Sequence, residues 1–289
     1  MESMCLLKLN VRDTIAYWHW AAPGSEHVLV LLHGLASNHT RWSEFLANTR
    51  LKERWNILRV DLRGHGASQP RGRIDTDGWC DDLRAILDRE GYRRAVVAGH
   101  CLGANIAIHF AHRAPERTAG LILVEPMLPA ALAGTLRRAT RLEPLLRALI
   151  LLIRAANALG LKRRRFPRLD LEQLDRETRA KIAASGSSEA LLKRYAAPLH
   201  DLQIMPSASF FQALLEVKRE LPPLEAITAP TLALLSAGTT FSDVPRTQEL
   251  LRALPDHKTI ILDAHHWIPM EQPDRMRAAI EEWCAARFG

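Results

Sequence analysis

The stretch Gly99-His100-Cys101-Leu102-Gly103 sets a cysteine inside a glycine frame, directly after the apolar run AVVA (95–98) and directly before ANIAIHFAHRA (104–114). A strand-like run that passes at once into a helical pattern must turn sharply. Glycines beside such a turn let backbone segments approach where a Cβ would collide, and the middle residue is pushed out of the bend. With a thiol at that point the chemistry on offer is nucleophilic: a thiolate attacks an activated acyl carbon and forms a thioester. The plain alternative, a small buried apolar side chain, leaves the glycines unexplained.

The elements that must position this thiol follow from the pattern on either side of it. HVLVLL (27–32), WNILRV (55–60), RAVVAG (94–99), LILVE (121–125), TLALL (231–235) and KTIIL (258–262) are short aliphatic runs bounded by Gly, Pro or charged residues. They read as strands of a sheet covered on both faces. Helical patterns alternate with them at 78–90, 104–114 and 244–254. The predicted class is therefore α/β, a mostly parallel sheet flanked by helices. Between Glu125 and Thr231 lie roughly 100 residues rich in Leu, Ala and Arg without a strand pattern, far more than a crossover needs. The expected organisation is a core of residues 1–127 and 216–289 with a helical cap inserted at 128–215. Within it, LEPLLRALILLIRAANALGLKRRRF (142–166) is apolar around most of its circumference. Arg147 and Arg154 interrupt it and argue against a membrane span. Two readings remain: a buried cap helix lining an apolar pocket, and an interfacial helix anchored by the basic LKRRR.

The chain has 289 residues, 47% hydrophobic and 25% charged, which suits one large folded core rather than disorder. A net charge of +7 raises the question of nucleic acid. The arginines are scattered and no reading motif accompanies them, so that class is set aside. Cys5, Cys80, Cys101 and Cys284 are too widely separated for a zinc site or a disulfide framework, and a reducing cytoplasm is the expected location. MESMCLLKLNVRD at the start does not read as a signal peptide.

In this order and spacing the motifs resemble the α/β-hydrolase fold. GHCLGA matches its nucleophile elbow with Cys for the more usual Ser, and VLLHGLASN (30–38) its first strand-to-loop segment. VDLRGHGAS (60–68) matches the next loop, ERTAGLILVEP (116–126) the strand after the elbow, and AHHWIPMEQPD (264–274) the loop carrying the catalytic histidine. The resemblance covers nearly the whole chain outside the cap. It implies Cys101 as nucleophile, with the backbone N–H groups of Leu35 and Leu102 as the oxyanion hole. In the family the histidine stands five residues before a glutamate and seven before a proline; Glu271 and Pro273 give His266, and His265 takes a position usually held by glycine. His33, His65 and His100 are expected to be structural neighbours. The usual acid position after the PTLALL strand is Thr239, which cannot ionise. Glu125, at the end of the strand after the elbow, and Asp243, which alternatively caps a helix starting at Val244, are the candidates in its place; a third possibility is that no acid orients His266. A cysteine at the elbow is also found in dienelactone hydrolases and polyhydroxyalkanoate synthases. The likeness to both is partial: Ala104 stands where they carry a second glycine, the synthases are longer, and the lactone hydrolases lack so large a cap.

The resemblance implies a hydrolase for an ester, thioester or lactone with an apolar acyl part, with no metal or organic cofactor. Its partner is then a small-molecule acyl substrate, free or as a carrier-bound thioester; peripheral membrane contact is the less favoured addition. Two alternatives stay open, an acyltransferase or cyclase delivering the acyl group to an amine, alcohol or carbon nucleophile, and a non-catalytic ligand-binding member of the fold.

Overall fold

A computed structural model describes the chain apart from residues 1, 11–12, 69–73, 135–136, 138–141, 162, 164–165, 168, 186–197 and 239. Eight strands are described: β1 (Glu2–Lys8), β2 (Thr14–Trp20), β3 (Val28–Leu32), β4 (Asn56–Val60), β5 (Ala95–His100), β6 (Thr118–Val124), β7 (Thr231–Ser236) and β8 (His257–Leu262). They form one sheet in the order β1-β2-β4-β3-β5-β6-β7-β8. From β3 to β8 the strands run parallel, while β1 and β2 form an antiparallel hairpin added at the edge of β4. The six strands expected from the sequence are all present. The hairpin was not expected, because TIAYWHW and ESMCLLK mix polar with apolar residues, as suits a hairpin at the margin of the sheet with β1 as its open edge.

The helices are α1 (Ser43–Asn48), α2 (Thr76–Glu90), α3 (Leu102–Arg113), α4 (Glu143–Ala158), α5 (Leu171–Ser185), α6 (Pro198–Ile204), α7 (Ser207–Val217), α8 (Val244–Leu251), α9 (Ile268–Glu271) and α10 (Pro273–Phe288). Side chains alternate across a strand, so each unbroken apolar strand supplies two cores. Val30, Leu32, Val97, Leu121 and Leu123 face Trp79, Leu83, Ile106 and Phe110 of α2 and α3. Leu29, Leu31, Val96, Ala98 and Ile122 face Trp42, Phe45, Ile280 and Trp283 on the opposite side. Truncating one of the fully buried aromatics here, such as Phe110, removes about 3–5 kcal/mol. No helix among the described residues is long and apolar enough to cross a membrane.

Between β6 and β7 the described elements are helical, α4 to α7 and two short 3-10 turns, Pro129–Ala131 and Leu224–Ala226. The segment 142–166 departs from the buried-helix reading. Its helix spans Glu143–Ala158, buries only Ile150, and leaves most of its leucines in solvent. It packs on α7 through one narrow side, because a helix apolar all round can cover only the face that meets a partner.

Candidate active site

Strand register brings the chemistry together. Leu32 pairs with Gly99, His100 with Val124, and Ser236 with Leu262. The loops leaving β3, β5, β6 and β8 therefore start side by side at the carboxyl edge of the sheet. They carry Leu35, Cys101, Glu125 and His266.

At the elbow Cys101 has φ 54° and ψ −118°. That region is sparsely populated by residues with a Cβ and costs about 1–3 kcal/mol, held here by the surrounding packing. Its N–H donates to the carbonyl of Val124 at 2.9 Å, which ties the bend to β6. The glycine frame has a direct steric cause. A Cβ on Gly99 would lie 2.2 Å from the Gly103 carbonyl carbon, and one on Gly103 would lie 2.6 Å from the carbonyl oxygens of Leu32 and His33. Gly34 is packed as closely: its added Cβ would sit 3.1 Å from that of Cys101, so the loop after β3 lies directly against the thiol. The N–H groups of Leu35 and Leu102 make no hydrogen bond to another described residue.

His266 is buried beside the thiol, with Nδ1 3.1 Å from Oε2 of Glu125. Glu125 itself is buried at a left-handed φ of 52°, immediately past β6, and its Oε1 accepts from the Ser236 N–H of β7. Burial opposes a charge on His266, but its interactions with Cys101 and Glu125 outweigh that and push the imidazole up to about 9. Asp243 is not the partner of His266. Its side chain caps α8, with Oδ1 accepting from the Arg246 N–H at 2.9 Å, so the carboxylate is occupied by an orphan helix donor. Thr239 lies outside the described residues.

His265 turns away from the thiol. Its Nδ1 lies 2.9 Å from Glu271, which also accepts the backbone N–H groups of His265, His266 and Trp267. A neighbouring glycine makes room for His265: a Cβ on Gly238 would come 2.9 Å from the His265 Cα. Glu271 thus shapes the histidine loop. His33 and His100 are fixed in the site's floor. His33 Nε2 accepts from the Leu62 N–H at 3.0 Å, so Nδ1 carries the proton donated to the Gly34 carbonyl at 2.7 Å. Burial and neighbouring His65 push His33 down to about 3. His100 Nε2 meets the His266 carbonyl at 3.1 Å, and burial together with the His266 charge holds it well below its ordinary value.

One residue outside the motifs also matters. Asn105, one turn into α3, donates to the Met127 carbonyl at 2.7 Å and accepts the Met127 N–H at 2.9 Å. This two-point clamp holds the chain just after Glu125 to α3, the helix that begins directly after Cys101.

Residues 29–279 match the sequence profile of the alpha/beta hydrolase family. The chain belongs to that family. The epoxide hydrolase 3 of Xenopus tropicalis is 23% identical over 301 residues, covering 97% of this chain and 78% of that protein. An uncharacterized protein of Mycobacterium tuberculosis is 32% identical over 102 residues, which is 35% of this chain and only 29% of that protein. The enol-lactonase of Burkholderia xenovorans superposes with a TM-score of 0.70 at 17% identity, covering 97% of this chain and 100% of that one. At that identity the superposition shows a shared fold.

The pocket in front of this alpha/beta hydrolase's thiol is a cavity of about 90 Å³ walled by Leu35, Cys101, His266, Trp267, Leu171 and Asp201. That is room for a handful of waters. Ala36, Ser37, Leu169 and Ile204 border it and also border a second recess of about 460 Å³, which Met4, Trp18, Phe166 and Met205 make largely apolar. Two polar features of the pocket were not legible in the sequence. Arg41 and Asp175 form a buried ion pair at 2.7 Å that joins the loop after β3 to α5. Asp201 faces the pocket, and burial raises its carboxyl to about 7. Neither carries a local motif, because both are assembled by tertiary packing of distant segments.

Proposed function

We propose that the protein hydrolyses an ester, thioester or lactone through a thioester on Cys101. The thiolate attacks the carbonyl carbon, and the resulting oxyanion is held by the Leu35 and Leu102 N–H groups. His266, protonated and oriented by Glu125, gives its proton to the departing oxygen or sulfur as the carbon–heteroatom bond breaks. Neutral His266 then takes a proton from water, which attacks the thioester and releases the carboxylic acid. The sulfur leaves as thiolate and the proton stays on the imidazole.

The observation that carries this reading is the buried hydrogen bond from His266 to Glu125 beside a thiol at the elbow. The narrow cavity suits a short acyl segment at the thiol, and the adjoining apolar recess suits a hydrophobic remainder of the substrate. A cysteine also separates acyl from epoxide substrates. A thiolate that opens an epoxide forms a thioether, which water does not cleave, so turnover would stop after one cycle; a thioester is released.

The test is hydrolysis of p-nitrophenyl acetate and butyrate by the wild type and Cys101→Ala, with intact mass measured after an acyl-thioester pulse. Turnover with an acyl adduct confined to Cys101 supports the proposal. Turnover that survives in Cys101→Ala overturns it, and absence of both adduct and turnover leaves a ligand-binding member of the fold. Running the reaction with amine and alcohol acceptors distinguishes acyl transfer from hydrolysis by product.

A further inference from the structure

We propose that the outer face of α4 docks the protein on an anionic lipid surface. The helix turns Leu146 and Ile150 toward the body, where Leu146 joins a cluster of Met205, Phe210 and Leu214. The opposite face is open to solvent and wholly apolar. Leu145, Leu151 and Leu152 are 66%, 67% and 68% exposed, Ala148 and Ala155 lie between them, and Leu159 just beyond is 81% exposed. Leucines at this density on the outer side of a surface helix expose apolar area that water penalises. None of them lines the pocket of Cys101.

Charge selects the occupant. From residue 137 to residue 168 the sequence holds ten Lys and Arg residues and a single acid, Glu143; of the basic run at 162–165, Lys162, Arg164 and Arg165 lie outside the described residues. Arg147 and Arg154 belong to α4 itself, seven residues apart and so on one flank of the leucine face, where Arg147 also pairs with Glu143 at 2.6 Å. An amphipathic helix with leucines on one side and basic residues beside them matches the boundary between anionic headgroups and acyl chains. A second copy of the chain on the same face would bring two such basic segments together without an acidic counterpart, which like-charge repulsion opposes. The docked helix would stand one packing layer from the site, because the cluster beneath it also holds Leu35 and Ala36.

The test is vesicle co-sedimentation of the full chain with phosphatidylcholine alone and with phosphatidylcholine and phosphatidylglycerol mixed. Alongside the wild type stands Leu145→Glu/Leu152→Glu, whose side chains are exposed and whose folding is checked by circular dichroism and thermal melting. The expected result is binding to the mixed vesicles that falls more than tenfold in the double variant, is weakened by roughly 1 M salt, and is minor on phosphatidylcholine alone. No binding to anionic vesicles overturns the proposal, as does binding that the double variant retains. A wild-type dimer by light scattering that becomes monomeric in the variant also overturns it, by assigning the face to a second copy.

Discussion

Replacing Glu125 by Gln keeps the shape of the side chain and deletes its charge. The Gln oxygen can still accept from Ser236, but its amide now donates toward His266 Nδ1, the atom that must carry a proton when Nε2 acts as base. His266 rises from 6.5 to about 9 against the opposing effect of burial, a preference on the order of 3 kcal/mol at about 1.4 kcal/mol per pH unit. Cys101 and Glu125 share it. If Glu125 supplies about half, its loss lowers kcat/KM by roughly 10- to 30-fold, and the inverted tautomer can only add to that. The alkaline limb of the profile, where the imidazolium releases its proton near pH 9, should move down by about one pH unit. The linked stability has a definite sign. A raised histidine stabilises the fold fully below about 6.5 and loses that contribution as pH rises through about 9. The assay is kcat/KM for p-nitrophenyl acetate across pH, with melting temperatures as a control on folding. A folded Glu125→Gln enzyme with the wild-type rate and an unmoved alkaline limb would refute the coupling between these residues.

Other expectations concern the rest of the molecule. Iodoacetamide should modify Cys101 in the native protein and leave Cys80 and Cys284 untouched, since burial pushes both thiols up to about 12; peptide mapping reads the order of labelling. Asp243→Ala should cost about 1 kcal/mol of stability through the lost cap of α8 while hydrolysis stays within twofold, as urea titration and the ester assay will report. Gly103→Ala should abolish activity or prevent folding, because its Cβ meets backbone rather than a movable side chain, and soluble yield with residual turnover measures this. Burial holds His33 near 3, His65 near 4 and His109 near 4. Below about 6.5 the unfolded chain therefore takes up protons that the native state refuses. Each histidine should remove about 1.4 kcal/mol per pH unit down to about pH 4, visible as a falling urea midpoint.

The fold was legible because its central strands are unbroken aliphatic runs, and β3 to β7 are buried on both faces of the sheet. β1 and β2 escaped notice since this marginal hairpin mixes polar with apolar side chains and gives no such signal. At the site, Cys101 announces itself through steric needs that only glycines meet within four residues of chain. The partner of His266 was narrowed to two carboxylates, and sequence spacing could not separate them: a cap and a catalytic acid both call for Asp or Glu next to an element end. Only the register of β6 against β7 does so, by setting Glu125 beneath Ser236. The apolar segment 142–166 shows another limit. Apolar residues all round a helix announce burial or an interface equally, and what its neighbours leave uncovered decides.

The double hydrogen bond between Asn105 and Met127 separates motion from chemistry. A swing of the helices between β6 and β7 to admit a bulky substrate pivots downstream of Met127, because upstream the polypeptide is riveted to the rod that begins directly after the sulfur. The entrance can swing while the proton path keeps its dimensions.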